Sequence, residues 1–117
     1  MLPATPASPG VARQFVGAAL RRWNTEEPIV EAAQLLVSEL VTNAIVHTSS
    51  EVRLGVCVRD ATIRVEVSDH DERLPLWRAS GSNDTDGRGL GIVDGVADAW
   101  GSGLRRDGKA VWFELAR

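Results

Sequence analysis

An α/β (α+β) fold of two layers, a mixed or antiparallel sheet covered on one face by about three helices, is what this chain predicts. Three observations carry it. Two amphipathic helical stretches come first; two segments of apolar alternation follow; a third helical pattern and a closing strand pair come after a long aperiodic stretch. A length of 117 residues leaves room for one core and not for two. Hydrophobic residues at 44% and charged residues at 25% match ordinary folded domains.

Residues 1–10 form a Pro-rich lead that is expected to be flexible, and residues 11–117 a single domain. Over 11–23 the apolar residues Val11, Phe15, Val16, Ala18, Ala19 and Leu20 alternate with Arg13, Gln14, Arg21 and Arg22 as on an amphipathic helix. A break at Asn24 and Thr25 precedes Glu26, Glu27 and Pro28. Acids and proline both suit a helix start, so a second helix is expected over 28–47. Val52, Leu54, Val56 and Val58 then alternate with polar residues, as do Ile63, Val65 and Val67, and a turn at 60–62 pairs the two strands as an antiparallel hairpin. Residues 69–91 have no periodicity, and at that length a loop is either disordered or functional. Ile92, Val93, Val96 and Ala97 have helical spacing, and strands at 100–104 and 110–115 flank a turn at 105–108.

Thirteen basic and sixteen acidic residues give a net charge of −3, which leaves no basic field to hold a nucleic acid. One cysteine, Cys57, makes no internal disulfide, and with two histidines far from it in sequence no zinc spacing arises. The lead lacks the charged and apolar parts of a signal peptide, and no apolar run is read as approaching the roughly 18 residues of a membrane span. A cytoplasmic protein without membrane contact is expected.

Glu39 and Asn43 stand one turn apart on the second helix. Ala32, Leu35, Leu36 and Val46 surround them on a helical wheel, with Glu31, Ser38 and Thr42 on the solvent side, so the pair is expected inside the apolar stripe. A carboxylate there needs a cation, a donor or water, unless it lies at the stripe's margin in a local hydrogen bond. Gly87, Arg88, Gly89, Leu90 and Gly91 precede the third helix, where glycine backbone and a helix amino terminus suit a phosphate. They match neither Walker A nor dinucleotide-binding spacing, and a plain glycine turn is the alternative. Asp69 ends an apolar strand, where it either meets a ligand or makes a turn. His47 closes the second helix, which suits a cap at the negative end of the dipole.

Glu39-Leu40-Val41-Thr42-Asn43-Ala44, Asp69 after an apolar strand, and Gly87-Arg88-Gly89-Leu90-Gly91, in this order, resemble the N box and the two glycine boxes of the GHKL (Bergerat-fold) ATPase superfamily. The chain is most similar to the stand-alone bacterial anti-sigma factor serine/threonine kinases, whose N box continues as Asn43-Ala44-Ile45-Val46-His47 does; the closing Gly108 to Leu115 stretch also looks like the last strand of the actinobacterial branch. The resemblance implies ATP held between helices and sheet. It makes Asn43 a Mg²⁺ ligand and Glu39 the general base, gives the adenine amino group to Asp69, and gives the phosphates to Gly87, Gly89, Leu90 and Gly91. The implied partner is an anti-anti-sigma-like protein, a sigma factor, or both, and a homodimer is the family tendency. The implied alternative is a non-catalytic, ATP-dependent module that sequesters a sigma factor. Two positions depart from the family. Residues 69–73 read Asp-His-Asp-Glu-Arg where Asp-x-Gly-x-Gly is usual, and Ala110 stands at what looks like the place of a Thr that supports the adenine-binding Asp.

Overall fold

The computed structural model describes residues 2–3, 5–48, 51–69, 96–105 and 108–117. Two helices, α1 (Ser8–Arg22) and α2 (Glu27–Thr48), precede the strands β1 (Arg53–Val58) and β2 (Thr62–Asp69); β3 (Ala99–Arg105) and β4 (Gly108–Ala116) close the chain. The sheet has the order β1-β2-β4-β3 and is antiparallel at every pairing, with no mixed part among the described residues. Both expected hairpins are present. Of the third helical pattern, Ile92 and Val93 lie outside the described residues, while Ala97 packs against the core.

Helix α1 begins at Ser8, three residues before the apolar pattern does, because Pro9 is tolerated in a first turn. Ahead of it Leu2 forms a β-bridge to Val52, with N–H···O distances of 2.7 and 2.8 Å, and the Ser8 hydroxyl donates to the Pro3 carbonyl. The helix stops in a Schellman motif: Asn24 takes φ 58°, its N–H donates to Arg21 O, and the Thr25 N–H donates to Leu20 O. Arg21 then reaches forward to Glu27 at 2.9 and 3.0 Å, and that hydrogen bond holds the Glu27 carboxyl below its usual range and raises Arg21. The pair is exposed, so it orients the start of α2 more than it stabilises the fold.

The expected stripe of α1 needs correction. Ala12, Val16 and Leu20 are its fully buried apolar residues, whereas Val11 and Phe15 are 48% and 52% exposed. Gly17 faces α2, and a Cβ there would collide with the Gln34 amide, whose Nε2 donates to Arg13 O at 3.1 Å. In α2 the stripe is Val30, Ala33, Leu36, Val37, Leu40 and Val41, all buried. Over Glu27–Val46 the mean hydropathy is 1.5, enough by length and composition for a membrane span, which corrects the reading that no run approaches one. Here that stripe lies in the core between α1 and the sheet.

On the sheet, directly opposed residues share a face, so the register sorts the core into rows. Val58, Ile63 and Leu115 form one row, and Val56, Val65, Phe113 and Trp100 the next. Leu54, Val67, Val111 and Ser102 follow, and the row ends in Asp69, Lys109 and Leu104. On the other face the Arg64 guanidinium lies 4.1 Å over the Trp112 ring and bonds Glu114 at 3.3 Å. That ring occupies the space over Gly101, where a Cβ would come within 2.8 Å of it. Gly101→Ala is therefore expected to destabilise the domain by about 1–3 kcal/mol, as overpacking does. Chemical denaturation checks it; an unchanged midpoint would show the ring moving aside without loss.

Candidate functional site

Helix α2 supplies the first half of the site. Glu39 and Asn43 are half-buried, on a flank about a third and a quarter of a turn from the centre of the buried stripe. The expectation that they lie inside the stripe is thus corrected to its margin, and the reason is that two of the apolar residues near them point outward: Leu35 is 43% and Val46 66% exposed. The Asn43 Nδ2 is nevertheless buried and makes no hydrogen bond among the described residues. A buried amide donor left without an acceptor costs about 1–3 kcal/mol, so it calls for an acceptor oxygen from outside the described chain.

Topology brings this flank to the sheet. Helix α1 packs on α2 through Gln34 and Ser38, and it touches β1, whereas α2 touches β2 and β4. The flank bearing Glu39 and Asn43 therefore faces away from α1, toward the β4–β3 half of the sheet. Because only three residues separate Thr48 from Val52, the carboxyl end of α2 lies at the end of the sheet where β1 starts and β2 finishes. Asp69 is at that same end.

The Asp69 side chain is 3% exposed and forms a buried ion pair with Lys109, 6% exposed, whose Nζ is 3.3 Å from Oδ1 and 3.2 Å from Oδ2. The two residues face each other directly across β2 and β4, so the strand register holds the pair. Lys109 thus supports Asp69 from the directly opposed position, while Ala110 stands opposite Ser68. Sequence reading missed Lys109, although it is the chain's single lysine and lies in the run Gly108 to Val111, all buried. It also missed Ser102, whose Oγ is buried without a hydrogen bond among the described residues and lies one row away on the same face. Gly87, Gly89, Leu90 and Gly91, like residues 70–73 of the altered glycine box, lie outside the described residues; nothing is described of the His47 side chain.

What such a site can hold follows from its donors. Among the described residues no group of three or more His, Cys, Asp or Glu side chains forms a cage for a metal. An amide and a carboxylate on one helix flank fit instead a hard cation that keeps its waters and takes most of its ligands from a phosphate, which is how Mg²⁺ is usually held. The orphaned Asn43 donor fits the same occupant, since phosphate and water oxygens are acceptors.

Comparison with known proteins places the chain beside a family, a relative and a solved structure. The family described as a histidine kinase-like ATPase domain matches residues 2–115. A protein of Streptomyces coelicolor, described as uncharacterized, is 40% identical over 86 residues, covering 68% of this chain and 81% of that protein. Among solved structures, the histidine kinase domain from the Erythrobacter litoralis EL346 blue-light activated histidine kinase aligns with a TM-score of 0.56 and 26% identity, covering 74% of this chain. This chain spans 43% of the length of that one.

Proposed function

We propose, for a chain that belongs to the histidine kinase-like ATPase domain family, that it binds Mg-ATP between α2 and the sheet and phosphorylates a serine or threonine of a small anti-anti-sigma-like protein, and so regulates transcription. The observation that carries this reading is the buried Asn43 Nδ2, without a hydrogen-bond partner among the described residues, at the same end of the sheet as Asp69. Asn43 would hold Mg²⁺ and Asp69 would accept from the adenine amino group, while the backbone of Gly87, Gly89, Leu90 and Gly91 would donate to phosphate oxygens. Glu39, one turn before Asn43, would accept the proton of the attacking hydroxyl. The metal, when bound, neutralises phosphate charge. The proposed setting is the cytoplasm, with no nucleic acid or membrane in contact, as a possible homodimer and with a sigma factor as the second partner.

A second reading is an ATP-dependent module that sequesters a sigma factor without transferring phosphate. It is favoured by residues 69–73, which lack both glycines of the usual box. Incubating the pure protein with Mg-ATP labelled at the γ-phosphate and lysate from its source separates the two. A labelled small protein supports the kinase; capture of a partner that requires ATP yet carries no label supports the module.

Asn43→Ala is expected to weaken Mg-nucleotide affinity about ten- to a hundredfold, the worth of a hydrogen bond or ligand to a charged group. Titration calorimetry on both proteins checks it. Wild-type protein giving neither heat nor a thermal shift with millimolar Mg-ATP would remove the nucleotide from the reading altogether.

A further inference from the structure

The Asp69–Lys109 pair has a chemistry that its role as a structural ion pair does not exhaust. On β2 and β4 the first three rows of the core face are apolar, and in the fourth an anion and a cation stand side by side instead, both almost fully buried. An ion pair at this depth is not needed for stability, since apolar pairs of similar volume serve as well or better. Its geometry leaves valences over. The Lys109 ammonium carries three N–H donors and lies nearly equidistant from the two Asp69 oxygens, which engages two of them; Asp69 is its one acceptor among the described residues. The Ser102 hydroxyl, buried one row away and without a hydrogen-bond partner among the described residues, adds a second polar group that a polar occupant would satisfy.

We infer that Lys109 is a base-specificity residue, donating to ring nitrogen N1 of adenine while Asp69 accepts from the neighbouring 6-amino group. This deepens the proposed nucleotide site and rests on that reading. An acceptor and a donor set side by side match the Watson–Crick edge of adenine, which presents a donor and an acceptor in the complementary order. Hypoxanthine and guanine present the reverse, a 6-oxo acceptor beside an N1–H donor, so both contacts turn repulsive at once. Being held by Lys109 also keeps the Asp69 oxygens in one orientation, which an unpaired carboxylate at a strand end would not keep.

The test compares three Mg-nucleotides on the full chain: ATP, 1-deaza-ATP, in which N1 is replaced by C–H, and ITP. Wild type is expected to bind ATP about ten- to a hundredfold more tightly than 1-deaza-ATP, the range for a hydrogen bond to a charged group, and ITP more weakly still. Lys109→Met, with its fold checked by circular dichroism, is expected to bind ATP and 1-deaza-ATP within twofold of each other, and Lys109→Arg to restore part of the difference. A folded Lys109→Met protein that still distinguishes the two as wild type does would overturn the inference. Because removing the cation takes the counter-ion from a buried carboxylate, that variant can fail to fold, and the wild-type comparison then decides: equal affinity for ATP and 1-deaza-ATP overturns the Lys109 contact and leaves the ATP site standing. Wild-type protein that binds none of the three overturns the ATP site, and this inference with it.

Discussion

Glu39→Ala is expected to cut phosphate transfer to the partner protein by about 10²- to 10⁴-fold while moving ATP affinity by no more than a few fold. The split follows from the positions of Glu39 and Asn43. They share one flank of α2, one turn apart, but the Asn43 amide is the group with a buried, unsatisfied donor. Removing a base that acts on the nucleophile leaves the nucleotide's own contacts in place. Glu39→Gln sharpens the test, because it keeps the shape and hydrogen-bonding reach of the side chain and loses only its basicity. A single-turnover transfer assay beside calorimetry reads both quantities. Binding and transfer lost together would mean that Glu39 organises the metal or the helix, and wild-type protein that holds its partner with ATP but never phosphorylates it would leave the sequestering module as the function.

Phe113→Ala is expected to destabilise the domain by about 3–5 kcal/mol. Phe113 is fully buried on β4, directly between Val65 of β2 and Trp100 of β3. Rigid strands on both sides limit how far the core can collapse into the space left by the ring, and that places the cost toward the upper part of the range. Whole domains are stable by only about 5–15 kcal/mol, so the variant stands near its unfolding threshold. Thermal melting should fall by tens of degrees, given roughly 4–8 °C per kcal/mol in a domain of this size. A drop of only a few degrees would show that Trp100 moves in to fill the gap.

The strands were legible because burial on them is one-sided: Ile63, Val65 and Val67 alternate in the sequence and are buried in the structure for the same reason. The helices were legible as elements and less so as faces. Surface positions tolerate apolar residues, so Val11 and Phe15 look like core and are not, while Ser8 and Gly17 look like surface and are buried where the chain packs closely. Helix α2 is apolar around most of its circumference, which blurs its periodicity, and Glu39 and Asn43 were placed one flank too far inward. Lys109 was illegible for another reason. Its partner stands forty residues earlier, and only the register of β2 against β4 brings the two together.

The strand order has a consequence for synthesis. Strand β4 is made after β1, β2 and β3 yet lies between β2 and β3, each of which bonds to it along its length. A ribosome that has exposed the chain only through β3 has released the local β1–β2 hairpin and a third strand that has nothing to join it to that hairpin. In that interval, among the described strands, one side of β2 and both sides of β3 are open ladders, the kind of template on which nascent chains cross-pair. The vulnerable window closes only when the last nine-residue strand slides between them. Nonsense changes or proteolytic nicks just ahead of Gly108 should therefore yield insoluble protein and not a smaller soluble domain.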